Sequence, residues 1–158
     1  MSTPRPLFVY GTLCAMPLLA WALTGDATQT SIVRPLAQNA TVKGYARFTV
    51  RGKDYPAVIK HNQDSIVDGF LLRLQTKSQR RKLDDFEGEA YTVTPVSVMV
   101  KSESGDTVEI VDADMYVWAG ETDAVSSEAW VLQDFIRDRL DDWIELFGGM
   151  ELVGDDDT

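Results

Sequence analysis

The chain is short of the side chains on which many enzymes depend. One cysteine, Cys14, allows no internal disulfide and no cysteine-based zinc cluster. One histidine, His61, leaves no partner for a His-rich metal site and only a poor basis for a His-centred triad. No metal site is expected. Basic residues are scarce as well: 15 Lys+Arg stand against 25 Asp+Glu, a formal net charge of -10. A surface this acidic repels phosphate backbones, so nucleic acid and anionic membranes are not expected partners. The longest apolar run near the N-terminus, Pro17 to Leu23, is far shorter than the ~20 residues of a membrane span. Asp26 follows it without a clear small-residue cleavage site, so a signal peptide is not expected either. With so little cysteine, a reducing cytoplasmic location is the simplest expectation. There is no GxGxxG, Walker loop, HExxH, CxxC or GxSxG. Chemistry without a cofactor is therefore expected.

The residues present suit a folded domain. Of the 158 residues, 44% are hydrophobic and 25% charged, close to globular averages. The length fits one domain over 1–158, with flexible ends at 1–6 and 150–158. Leu7-Phe8-Val9-Tyr10 is a continuous β-prone run that reads as a buried strand. Cys14 to Leu23 reads as a short helix, and Thr24 to Thr30 as a loop. Strands follow over Ala37 to Val50, Tyr55 to Lys60 and Ile66 to Leu74, the last with Gly69 as a bulge or close-packing point. Thr76 to Phe86 has helical period, with Ser78 as N-cap and Gly88 as terminator. Tyr91 to Lys101 and Val108 to Trp118 alternate as a hairpin about the turn at 103–106. Leu132, Ile136, Leu140, Trp143 and Phe147 mark one face of a long helix from Ser126 to Phe147. About six strands with a minority of helix, and no regular alternation between them, indicate α+β rather than a doubly wound sheet.

Two segments can carry chemistry. Val9-Tyr10-Gly11-Thr12-Leu13 sits where a buried strand turns toward a helix. Gly11 has no Cβ and admits close approach to the backbone, and free N–H groups at a helix start bind anionic oxygens. The plain alternative is an ordinary strand-to-helix turn. Leu83-Asp84-Asp85-Phe86-Glu87-Gly88 ends the helix, with Leu83 and Phe86 as core anchors. A negative dipole end and the neighbouring Asp84, Asp85 and Glu89 should raise the pKa of Glu87. A carboxyl tuned upward can accept and return protons near neutral pH, whereas the plain alternative is a solvated acidic helix end. Helical spacing is read as placing Asp84 and Asp85 on faces other than that of Glu87. Tyr91 and Tyr116 are either pocket groups or core aromatics with satisfied hydroxyls. Tyr55-Pro56-Ala57-Val58 reads as a structural turn into a strand. Cys14 is a weak nucleophile candidate, and His61 reads as a surface residue.

In order along the chain, Phe8 to Leu13, Tyr55 to Val58, Val67 to Leu71, Leu83 to Gly88 with Tyr91, and Ala113 to Trp118 resemble the gamma-glutamylcyclotransferase-like family. That family includes the plant avirulence-induced proteins and the gamma-glutamylamine cyclotransferases. The C-terminal segment with Trp130 and Trp143 is most similar to the plant and fungal branch. The resemblance implies a small mixed β-barrel with flanking helices and a long C-terminal helix. It implies a cofactor-independent acyl transfer in which a γ-glutamyl compound releases 5-oxoproline and an amine. Glu87 would be the general acid/base. Tyr10, Gly11, Thr12 and Leu13 would line the substrate site, with Tyr91 and Tyr116 as further pocket residues. The expected partner is a small γ-glutamyl molecule, and the oligomeric state stays open. In one departure, Val93 stands where many relatives carry arginine, which removes part of the usual charge network. Two other readings stay open: a cyclase or isomerase of secondary metabolism, and a non-catalytic small-molecule-binding domain.

Overall fold

The computed structural model describes residues 4–88, 90–101 and 108–147. The expected turn at 103–106, Glu89 and residues 150–158 lie outside the described residues. Strand β1 (Leu7–Val9) is buried at every position. Its neighbours explain why: it pairs antiparallel with β5 (Ile66–Leu72) and parallel with β7 (Val108–Trp118). Adding β2 (Ala37–Lys43) and β6 (Tyr91–Lys101) closes a barrel in the order β1-β5-β2-β6-β7. Alternation sends Phe8 inward, onto Val42, Val67, Leu71, Val98 and Met115. Leu7 and Val9 point outward beneath the helices, against Leu13, Leu19 and Leu83. The strand is thus covered on both faces and has no polar position.

Helix α1 (Met16–Thr24) and α2 (Thr30–Val33) follow the first turn, and α3 (Lys77–Glu87) packs against α1. Thr76, rather than Ser78, caps α3. Its hydroxyl accepts from the Gln79 N–H while the Gln79 side chain accepts from the Thr76 N–H. Gly88 ends the helix at φ 77°, with its N–H on the Asp84 carbonyl.

The barrel, the flanking helices and the α+β class agree with the sequence-based expectation, but the strand count is higher. The block 37–50 is two strands, β2 and β3 (Tyr45–Val50), divided at Gly44 with φ 87°. β3 leaves the barrel and forms a three-stranded sheet with β4 (Pro56–Lys60) and β8 (Val125–Ala129).

The long C-terminal helix needs correction. Residues 125–129 are strand, because the open edge of β3 takes them up, with Val125 opposite Val50 and Ala129 opposite Phe48. The helix then divides into α4 (Leu132–Asp138) and α5 (Leu140–Phe147) at Arg139. At the break Arg139 donates to Asp54 at 3.0 Å, and Trp143 donates to the same carboxylate at 2.9 Å. Phe135, not Ile136, enters the core with Leu140 and Trp130, and Ile136 is left 40% exposed. No helix among the described residues is long and apolar enough to cross a membrane.

Candidate active site

The first wall of the site is the turn after β1. Thr12–Cys14 is one 3-10 turn, closed by the Cys14 N–H on the Gly11 carbonyl at 2.9 Å. It cannot slide along the barrel, since Gly69 of β5 lies directly beneath it. A Cβ on Gly69 would sit 2.1 Å from the Val9 carbonyl oxygen and 3.1 Å from the Tyr10 Cα. Gly69 is therefore a close-packing point and not a bulge. At Gly11 a Cβ would meet the Pro56 ring at 2.9 Å. The missing side chain there makes room for β4, in addition to any ligand. The N–H groups of Gly11, Thr12 and Leu13 have no hydrogen-bond partner among the described residues.

The second wall is the last turn of α3. Asp84 is engaged: Arg80 donates to its Oδ1 at 2.9 Å and the Tyr116 hydroxyl donates to the same atom at 2.6 Å. Arg80 also reaches Asp114 at 2.9 Å, and Asp114 takes Arg5 at 3.0 Å. One turn later, Glu87 has no hydrogen bond or ion pair among the described residues. Its carboxyl is pushed up to about 8, first by burial and second by the negative charge of Asp84. The upward direction agrees with the sequence-based expectation, but its main cause differs: desolvation leads. The face assignment of Asp84 is corrected, since i and i+3 share a side of a helix and Asp84 acts on Glu87 through space.

The two walls meet. Tyr10, Gly11, Thr12, Glu87, Tyr91 and Tyr116 line one pocket, with Val9, Tyr55 and Pro56 completing it. The three aromatic hydroxyls are tied away from Glu87. Tyr10 donates to the Tyr116 carbonyl, Tyr91 to the Pro56 carbonyl at 2.7 Å, and Tyr116 to Asp84. Burial and the nearby carboxylates raise all three phenol pKa values, so the hydroxyls stay neutral donors. The Leu13 side chain does not line this pocket. It is wholly buried under α1 and anchors the turn. Cys14 is buried with its thiol pushed up to about 12 by desolvation, and it donates to the Val9 carbonyl; this is not a reactive thiol. His61 is exposed and paired with Ser65 at 2.5 Å.

The chain belongs to the gamma-glutamyl cyclotransferase, AIG2-like family. The family model matches residues 7–132. AIG2-like protein D of Arabidopsis thaliana is 26% identical over 145 residues, 91% of this chain and 87% of that protein. AIG2-like protein C of the same plant is 27% identical over 87% of this chain and 73% of its own length. In fold, the chain is similar to an Arabidopsis thaliana protein known from a solution structure, with TM-score 0.62 and 21% identity over 93% of this chain and 83% of that one.

Sequence reasoning undervalued Pro56, Tyr55 and Asp84 as site residues. Tyr55 and Pro56 read as a structural turn because their approach to Gly11 is a tertiary contact. The signal for Asp84 was present in the i, i+3 spacing to Glu87. Val93 is 42% exposed on β6, and the cation paired with Asp84 is Arg80 of α3.

The pocket is narrow. Its free volume is about 10 Å³, room for about one water molecule. A larger hollow of about 460 Å³ lies on the outer barrel face near Asn39, Phe70 and Met99, away from Glu87. The chemistry-bearing groups converge on the small pocket, which is the candidate site.

Proposed function

We propose that this protein is a cofactor-independent γ-glutamyl cyclotransferase that releases 5-oxoproline and an amine from a small γ-glutamyl compound, acting in the cytosol. The observation that carries the reading is Glu87: a carboxyl without a partner among the described residues, raised to about 8, lining one pocket with the turn after β1, whose N–H groups are likewise without partners among the described residues.

The α-amine of such a substrate attacks its own γ-carbonyl carbon and closes a five-membered ring. The attack is intramolecular, so the site chiefly holds a productive conformer. Glu87, ionised, takes a proton from the α-ammonium and frees the nucleophile. The carbonyl oxygen gains negative charge, which the N–H groups of the turn stabilise. Protonated Glu87 then delivers its proton to the leaving nitrogen as the carbon–nitrogen bond breaks. Over the whole reaction the ring nitrogen loses two protons and the amine departs as ammonium. A carboxyl near 8 suits both transfers, since its affinity for the proton is far nearer to that of an amine than an ordinary carboxyl's is. The tyrosines shape the pocket as neutral donors held by other partners.

A γ-glutamyl group is larger than one water, so binding requires Glu87 or the Tyr55–Pro56 segment to shift. The test is a panel of γ-glutamyl amines and γ-glutamyl dipeptides assayed for 5-oxoproline release. Release from at least one compound, lost in Glu87→Gln, supports the reading. A panel without any release would favour a binding domain, and conversion without 5-oxoproline would favour another cyclase or isomerase reaction.

A further inference from the structure

Arg47 lies on β3, outside the barrel and outside the pocket, yet it reaches the turn that forms the pocket wall. One Nη1 donates to the Tyr10 carbonyl at 2.7 Å and to the Asp68 carbonyl at 2.9 Å. Nη2 donates to the Asp68 carboxylate at 2.7 Å. The guanidinium lies 5.7 Å from the centre of the Trp130 ring, and its side chain is 19% exposed. Three hydrogen bonds and an aromatic face hold the group in one orientation.

The consequence follows from peptide geometry. All peptide bonds of the described residues are trans, and in a trans peptide C=O and N–H point to opposite sides. Fixing the Tyr10 carbonyl toward Arg47 directs the Gly11 N–H the other way. Gly11 lines the Glu87 pocket, and Arg47 lines the hollow on the other side of the turn. Glycine adopts many backbone angles, so the Tyr10–Gly11 peptide has little intrinsic reason to keep this orientation. The 3-10 turn over Thr12–Cys14 closes on the Gly11 and Thr12 carbonyls and makes no use of the Tyr10 carbonyl, which Arg47 occupies.

We propose that Arg47 is a positioning residue that locks the Tyr10–Gly11 peptide so that the Gly11 N–H faces the pocket as a donor to the developing oxyanion. Asp68 braces the guanidinium through its carbonyl at Nη1 and its carboxylate at Nη2. The inference deepens the cyclotransferase reading and rests on it for the identity of the oxygen, but the lock itself does not depend on any substrate.

The experiment uses the full chain in three variants: Arg47→Met, Arg47→Lys and Asp68→Ala. In the free protein, the Gly11 amide should give one sharp resonance for the wild type. In Arg47→Met it should move or broaden through exchange, and in Arg47→Lys it should return part-way. If the substrate panel finds a turnover, Arg47→Met should lower kcat by about tenfold or more while KM stays nearly constant, since an oxyanion donor acts in the transition state. Lysine should restore part of kcat. A purely structural arginine would change thermal stability without this kcat-only loss or the lysine rescue. Asp68 is 77% exposed, so Asp68→Ala should fold, and it decides the question by the same readings if Arg47→Met does not. An unmoved Gly11 resonance in a folded Arg47→Met protein overturns the lock. So does an unmoved resonance in Asp68→Ala where Arg47→Met fails to fold. If 5-oxoproline added to the wild type neither binds nor shifts any pocket resonance, the γ-glutamyl reading fails, while the free-protein spectra still settle the lock.

Discussion

The two walls of the pocket reach the same end by different chemistry. In the turn after β1, Arg47 occupies the Tyr10 carbonyl and, among the described residues, the N–H groups of Gly11 and Thr12 keep no partner. On α3, Arg80 and Tyr116 occupy Asp84 and, among the described residues, the pocket-lining Glu87 keeps no partner. In each wall an arginine satisfies the polar group next to the working one. Unpaired polar groups near a buried surface cost stability, so structure normally removes them. Here each is left open beside a fully bonded neighbour, one set offering donors and the other a proton carrier. The difference lies in what the burial does. Burial leaves a backbone N–H in the same protonation state, whereas at Glu87 it moves the proton affinity by several orders of magnitude.

Removing the carboxyl breaks this contrast most completely. Glu87→Gln keeps shape but cannot carry the proton, so turnover should fall by about 10²–10⁴-fold in a 5-oxoproline release assay, with substrate affinity changing much less. Wild-type turnover in this variant would remove the mechanism. The same variant carries a stability signature. The folded pKa of Glu87 is raised above the usual carboxylate value, so the unfolded chain releases this proton first as pH rises. The protein should lose stability between pH 4.5 and about 8, on the order of a few kcal/mol. Urea titrations across that range should show a flatter dependence for Glu87→Gln.

The opposite wall is broken from beneath. Gly69→Ala places a methyl against the Val9 carbonyl and should cost ~1–3 kcal/mol, read as a lowered thermal midpoint. A midpoint equal to that of wild type would mean that β1 shifts freely.

Asp84→Asn sharpens the comparison without abolishing either wall. The asparagine oxygen can still accept from Tyr116, but the charge that disfavours Glu87 ionisation is gone. The limb of the kcat/KM profile that reports Glu87 should move to lower pH by about one unit. A limb that stays in place would show that Asp84 is electrostatically irrelevant. The smallest effect belongs to Cys14, which sits on the turn but faces the Val9 carbonyl. Cys14→Ala should leave turnover unchanged, and the wild-type thiol should resist alkylation at pH 8 in the folded protein. Rapid alkylation would contradict its burial.

Much of this was legible in the residues alone, because it depends on local pattern. The doubly buried run Leu7-Phe8-Val9, the alternation in β6 and β7 and the glycine stop after Glu87 are statements about neighbours in sequence. The order of short motifs carried the family and, with it, the barrel. The direction of the Glu87 shift is legible in its helix-end position and neighbouring acids, but its leading cause, burial, is not. The C-terminal segment departs from one long helix because its helical periodicity holds over 132–147 but not over 125–129. Residues 125–129 have no strong preference and were decided by the open edge of β3, more than 70 residues earlier. The break at Arg139 was decided by Asp54, which no window around the helix contains. Pro56 against Gly11, Gly69 beneath Val9 and Arg47 on the Tyr10 carbonyl are likewise contacts between distant segments. The sequence by itself determined which groups could do chemistry and on which elements they ride. Only the tertiary structure decided which of them stay unpaired, because hydrogen bonding and desolvation depend on what the closed barrel brings alongside.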